Sequence, residues 1–313
     1  KYLVLVAILF TGWLLRKIDF IDDKMDHSMN KLIVYFAYPC LIVHNIGSLD
    51  MTRSLIVDFG ITFVLSLVLF YLYGFFCKGY GKLRKFPKEE SAVAEFAMAT
   101  PNNGFMGFPV ALIFFGDKGL LLMLAHNAAM NFFIFTYGIK LLKSMQKDEI
   151  KKRAPGQFVK AVFKLIMNPN ILALIIGFAV SLLGFGIPEA VDEYLLYIGN
   201  ISTPMAMIFI GSTLSGYKFK DIIKDRVTIE GSAVKLAVLP LLTAAALYFI
   251  PIAPVIKCIV SLGIAFPTAA TVSMLAEQEG LEAGIASKIL FLSTVVSIAT
   301  IPGFINLIMF MFM

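Results

Sequence analysis

The chain has 313 residues, 59% of them hydrophobic and 15% charged, with a net charge of +6 and a mean hydropathy of +0.84. A soluble domain is nearer half apolar and a quarter charged, so composition excludes an ordinary globular domain and places the chain in a bilayer. Its three cysteines, Cys40, Cys77 and Cys258, fall in or at the ends of apolar runs without metal-type spacing and read as small packing residues.

A spanning helix needs about 20 mostly apolar residues. By that measure this is an all-α integral membrane protein with ten transmembrane helices, at about 2–15, 30–48, 54–77, 91–115, 119–142, 169–186, 193–216, 228–250, 254–276 and 284–312. The first is short at its start. The chain opens on Lys1 and not Met, and a few residues are expected upstream. No cleavable signal pattern stands there.

Basic residues alternate between connections. The first carries Arg16, Lys17, Lys24 and Lys31, and the third Lys78, Lys82, Arg84, Lys85 and Lys88. The fifth carries Lys140, Lys143, Lys147, Lys151, Lys152, Arg153, Lys160 and Lys164, and the seventh Lys218, Lys220, Lys224 and Arg226. The even connections hold only Arg53, Lys118 and Lys257. The ninth is acidic, with Glu277, Glu279 and Glu282, and acidic residues weigh little in this rule. The odd connections are therefore expected to be cytoplasmic and both termini non-cytoplasmic, in a multi-pass protein of the cell (inner or plasma) membrane. The positive charge serves topology and not nucleic acid.

A polar linker at 144–160, containing Pro155-Gly156, separates a first five-helix repeat, 1–143, from a second, 161–313. An odd number of spans per repeat inserts the second upside down relative to the first, a 5+5 inverted repeat. Internal echoes agree: Tyr38-Pro39 with Ile46-Gly47-Ser48 matches Thr203-Pro204 with Ile210-Gly211-Ser212. Pro39 and Pro204 are 165 residues apart, and Pro101 and Pro267 are 166 apart.

The fourth and ninth spans are interrupted at corresponding places. Ala99-Thr-Pro-Asn-Asn-Gly-Phe-Met-Gly-Phe-Pro109 and Gly263-Ile-Ala-Phe-Pro-Thr-Ala-Ala-Thr271 are poor continuous helices. In lipid, broken backbone is tolerated only where protein or a watery cavity surrounds it. Paired breaks in two halves are the best sequence pointer to a transporter's binding site. Each restarted helix offers unpaired N–H groups and a partial positive charge, which together suit an anion. The candidate binding residues are Pro101, Asn102, Asn103 and Gly104 at the first break and Pro267, Thr268 and Thr271 at the second. Donors are expected around Asn103 to Phe105 and around Thr268 to Ala270. The alternative is a pair of proline-kinked helices whose asparagines cap their own backbones.

In the fifth span Asn127 and Asn131 share a helix face, beside His126. They are candidates for the site or for interhelical hydrogen bonds. In the tenth, Ser293, Ser297 and Thr300 read mainly as a close-packing face. The intramembrane charges are Asp58, Glu95 and Lys235. With His126 they are the candidates for proton or charge coupling. Glu95 lies about 9 Å below Pro101 at helical rise. Lys235 falls at comparable depth, so a Glu95–Lys235 pair is expected. Asp58 is nearer the outer surface and is expected to be hydrated. No catalytic motif, cofactor loop or metal-ligand cluster is present, so the chain is expected not to be an enzyme and to need no cofactor or metal.

Four further runs stand out: Thr11-Gly-Trp-Leu-Leu-Arg-Lys17, Leu32-Ile-Val-Tyr-Phe-Ala-Tyr-Pro39, Asn103-Gly-Phe-Met-Gly-Phe-Pro109 with Phe115-Gly-Asp-Lys-Gly119, and Lys235-Leu-Ala-Val-Leu-Pro240. They resemble the auxin efflux carrier family, the bacterial relatives of plant PIN proteins. The resemblance covers essentially the whole chain. It implies two broken crossover helices in a bile-acid-transporter/NhaA-like elevator fold. It also implies a scaffold of spans 1, 2, 6 and 7, a moving transport domain of spans 3–5 and 8–10, and often a homodimer through the scaffold. Such carriers move small organic anions, auxins in plants and dicarboxylates such as malate or malonate in bacteria. The plant Asn-Pro-Asn is matched here by Thr100-Pro101-Asn102 and, with both asparagines missing, by Phe266-Pro267-Thr268. The family's span-five asparagine is matched by Asn131, or alternatively Asn127. The expected function is an alternating-access permease for a small organic anion. The alternatives are a sodium-coupled symporter of the bile-acid type and, more remotely, a channel or intramembrane enzyme.

Overall fold

The computed structural model describes residues 2–145, 162–163, 166–184, 186–216, 222, 225–281 and 284–313. Most of the predicted 144–160 linker lies outside the described residues, as do Glu282 and the basic residues Lys147, Lys151, Lys152, Arg153, Lys160, Lys164, Lys218, Lys220 and Lys224.

Among the described residues every regular element is helical. In chain order these are α1 (Tyr2–Lys17), α2 (Asp23–Leu32), α3 (Tyr38–Gly47), α4 (Arg53–Leu83), α5 (Lys88–Ala99), α6 (Phe108–Phe133) and α7 (Ile139–Lys143). They continue with α8 (Pro169–Leu183), α9 (Glu189–Asn200), α10 (Ser202–Ser215), α11 (Arg226–Ala233), α12 (Leu239–Tyr248), α13 (Pro254–Ala265), α14 (Thr271–Gln278) and α15 (Gly284–Phe312). Four widened π turns join neighbours, at Ile33–Ala37, Asn103–Gly107, Ile134–Gly138 and Val234–Val238. Three of them stand just before Pro39, Pro109 and Pro240. A proline lacks the N–H that would continue the ladder, and its ring crowds the carbonyl four residues back, so the preceding turn widens.

Five helical runs are long and apolar enough to cross a membrane: Arg53–Leu83, Asn103–Lys143, Glu189–Ser215, Arg226–Tyr248 and Gly284–Phe312. Pro169–Leu183 and Pro254–Ala265 are apolar but shorter. Helix stands in each of the ten predicted apolar segments. The run Asn103–Lys143 is no single rod, because it leaves helical backbone within the predicted connection at 116–118. Gly116 breaks it with φ 63° and ψ −158°, and Gly119 comes back against the carbonyl of Ala111. The left-handed φ is one that glycine adopts without strain.

The helices pack in two sets. α1 lies along α10, and α3 lies along α8 and α9; α4 packs on α5 and α6, and α15 on α5, α11 and α13. The first set is locked at its centre by two glycines. A Cβ on Gly12 would fall on the carbonyl of Ile208, and one on Gly211 on that of Leu9. Small residues at such contacts let two helix backbones touch, the usual way to gain dispersion energy in lipid. The sets meet where α10 packs on the Asn103–Gly107 turn.

Candidate functional site

The residue before a proline avoids helical backbone. Accordingly α5 ends at Thr100 (φ −109°, ψ 103°), before Pro101. α13 ends at Phe266 (φ −66°, ψ 150°), before Pro267. These two extended pieces cross and pair antiparallel at Pro101 and Thr268. Asn102 N donates to the Pro267 carbonyl at 2.7 Å, and Ala269 N to the Thr100 carbonyl at 3.0 Å. The fully buried Thr268 donates its hydroxyl to the Ala97 carbonyl at 2.8 Å, and its N–H reaches Ser293 Oγ at 3.1 Å. Each broken helix thus satisfies backbone groups of the other, as an apolar surrounding demands.

Donors are left over. Met106 N and Gly107 N return to the Asn102 carbonyl, and Phe105 N is capped by Asn102 Oδ1 at 3.3 Å. Asn103, Gly104, Ala270 and Thr271 begin their helices, where N–H groups have no intrahelical acceptor. None of the four N–H groups has a partner among the described residues. The expected donors Thr268 and Ala269 are instead consumed by Ser293 and Thr100. Asn102 is a cap, as the alternative sequence reading has it, and it also faces open space.

That space is a narrow cleft between the two breaks and α10. Asn102 and Phe105 line it from the first break, Ala270 from the second, Phe209, Ile210, Thr213 and Leu214 from α10, and Leu290 and Thr294 from α15. The phenyl rings of Phe105 and Phe209 lie 5.1 Å apart. Gly104 borders open space, since a Cβ there would touch nothing. Asn103 is buried behind it, with Nδ2 on the sulfur of Met130 at 3.5 Å and Oδ1 unpartnered. Asn127 is buried, Asn131 half-buried and Thr271 exposed. Of the residues singled out by sequence, Asn102 lines the cleft; Pro101, Pro267 and Thr268 build the crossing. Phe209, Thr213, Leu290 and Thr294 were not singled out. Thr213 follows the Ile210-Gly211-Ser212 echo, and Thr294 lies on the hydroxyl face of α15; these were the available signals.

The intramembrane charges are arranged differently from expectation. Glu95 and Lys235 do not pair. Glu95 accepts a short hydrogen bond from the Tyr137 hydroxyl. Lys235, wholly buried, donates to the carbonyl of Ile264 at 3.2 Å. That carbonyl lies in the last turn of α13, where the ladder ends and cations are favoured. Asp58 is buried and bound to the partly exposed Lys118 at 2.7 Å. His126 Nδ1 bonds Ser66 Oγ at 2.7 Å, Nε2 has no partner, and the ring lies on Gly263. Among the described residues, no group of acidic, histidine or cysteine side chains could hold a metal.

Comparisons with known proteins agree with this class of molecule. A family profile described as "Membrane transport protein" matches residues 1–305. An uncharacterized transporter of Methanothermobacter thermautotrophicus is 23% identical over 302 residues, covering 96% of this chain and 94% of that protein. A Rhizobium meliloti protein provisionally named a malonate transporter is 27% identical over 317 residues, covering 96% and 93%. An uncharacterized transporter of Escherichia coli K12 is 24% identical over 221 residues, covering 70% and 69%.

Proposed function

Since the chain belongs to the membrane transport protein family, the auxin efflux carriers whose motifs it carries, we propose that it is a secondary transporter of a small organic anion. The observation that carries this reading is the meeting of two interrupted helices at one cleft, with Asn102 contributed by one and Ala270 by the other. Open helix N-termini bind a carboxylate without a buried cation. The Asn102 amide nitrogen orients it, and the hydroxyls of Thr213 and Thr294, which donate to the Phe209 and Leu290 carbonyls, turn from those carbonyls to reach it. Six apolar side chains line the same space, which favours a carboxylate with an apolar body. The provisional malonate transporter among the relatives speaks for a compact dicarboxylate.

The mechanism in this reading is an elevator. The set built on α1, α3, α8, α9 and α10 is the scaffold. The set carrying both breaks moves against it and opens the cleft to either side in turn. Ten crossings in a 5+5 inverted repeat, a plasma-membrane location with both termini outside, and a scaffold homodimer belong to the same reading. They rest on the apolar segments, the placement of basic residues and the family resemblance.

The test is thermal stabilisation of the purified protein by a panel of mono- and dicarboxylates, with and without sodium. A ligand bound only by the folded state raises its stability by mass action. Stabilisation by one carboxylate class is expected, weakened by Asn102→Ala and by Thr213→Val. No response to any carboxylate, or an unchanged response in both variants, overturns the proposal. A response that requires sodium would favour a sodium-coupled symporter.

A further inference from the structure

Glu95 stands out because its partner is a hydroxyl and not a cation. It is 5% exposed, within α5, six residues before Pro101. An ionised carboxylate so buried is costly unless paired. A lysine or arginine in bonding distance would hold it ionised. A tyrosine hydroxyl both donates and accepts, so Tyr137 can donate to the carboxylate and accept from the acid. The two protonation states are therefore both accommodated at this position.

The local structure is built to bring these groups together. Tyr137 lies in the Ile134–Gly138 turn, where no proline causes the widening. Here a Cβ on Gly138 would collide with the ring of Phe96, Glu95's neighbour. The bare glycine lets the turn close onto α5, so Tyr137 reaches across. Tyr137 is itself only partly buried and stacks on Phe133 at 5.1 Å. From α4, Lys78 and Lys82 lie in electrostatic range of Glu95 but are exposed, and Cys77 lies in range of both Glu95 and Lys235. The other charged neighbours are engaged elsewhere. Glu230 of α11 binds Arg84 and Arg226, Lys288 of α15 binds Asp225, Lys143 of α7 faces Glu279, and Lys235 holds Ile264. Two residues on from Glu95, the Ala97 carbonyl is the one that Thr268 grips at the crossing. A change of charge on Glu95 is thus felt within one turn of the site.

We infer that Glu95 is the proton-binding site that couples anion movement to a proton. It takes up H⁺ as –COO⁻ + H⁺ → –COOH on the side where the anion enters and releases it on the other, so that the anion and one proton cross together, a monocarboxylate without net charge and a dicarboxylate dianion with one net negative charge. The inference rests on the anion-carrier reading.

The experiment uses the full chain in liposomes loaded with a pH-reporting dye, with radiolabelled malonate and radiolabelled benzoate as probes in turn and the uptake and acidification of protein-free liposomes subtracted. In the wild type, entry of the probe acidifies the lumen, and each unit of pH gradient supports about tenfold accumulation. Glu95→Gln, which mimics the protonated state, is expected to retain tracer exchange while losing both acidification and gradient-driven accumulation. Tyr137→Phe is expected to retain exchange with an altered pH profile of uptake. Retained exchange shows that the variants are folded. Acidification by Glu95→Gln at the wild-type level, or wild-type uptake with no lumenal pH change, overturns the inference while leaving the carrier reading standing. Absence of exchange of either probe by the wild type takes down both.

Discussion

The amide hydrogen of Asn102 is held by the carbonyl of Pro267 at 2.7 Å, although the two residues are 165 apart in the chain. Around this bond the breaks satisfy each other, and Thr268 contributes most. Thr268→Val keeps the shape but strands the buried Ala97 carbonyl. Leaving such a group unmade costs about 1–3 kcal/mol. Thermal unfolding of the purified protein is expected to show that loss for Thr268→Val and almost none for the exposed Thr271→Val. Equal melting temperatures would mean the hydroxyl bond contributes nothing.

Gly263→Ala places a methyl on the His126 ring. Overpacking of this kind typically costs about 1–3 kcal/mol. His126→Ala opens the space, so the double variant is expected to be more stable than the sum of the two single losses. A thermal-shift double-mutant cycle reads the coupling, and strict additivity would refute the contact.

Lys235 has three donors and one acceptor in an apolar surrounding. Replacing a poorly paired buried charge with a well-packed apolar chain is often neutral or stabilising. Lys235→Met is expected to melt no lower than the wild type. A clearly lower melting temperature would show that the bond to the Ile264 carbonyl outweighs the cost of burying the charge.

At the membrane edge, burial alone would push the Asp225 carboxyl up. Its bond from Lys288 at 2.7 Å and the backbone N–H groups of Thr228 and Val227 outweigh burial and hold it below the usual carboxylate range. A lowered folded value stabilises above the unfolded one, near 3.9, and the gain is lost as pH falls through the folded value. Asp225→Asn is expected to melt below the wild type at neutral pH, with the gap closing in acid. A gap that stays constant with pH would mean that the ionised form carries none of the stability.

The positions of both breaks were legible because Pro101 and Pro267 dictate the backbone before them. The bond pattern between the breaks was not, since nothing local tells which carbonyl an interrupted helix will meet. Glu95 and Lys235 were visible as costly charges, and pairing them was the economical expectation. The structure resolves each cost separately. Lys235 takes a carbonyl that the break itself leaves open, and Glu95 takes a hydroxyl from Tyr137, which in sequence is one aromatic among many. Phe209 and Leu290 reach the cleft from uninterrupted helices, where an apolar residue facing a ligand reads like one facing lipid.

The glycine contact between α1 and α10 bears on how the protein is made. Gly12 and Gly211 rest on each other's helices, yet roughly 200 residues of synthesis separate them. At about 5–20 residues per second, the first helix leaves the ribosome and waits about 10–40 s before the partner that fits its bare face exists. During that interval it holds its place in the bilayer by hydropathy alone. The insertion machinery is expected to shelter this helix, and a delay in translating the second half is expected to expose it to proteolysis first.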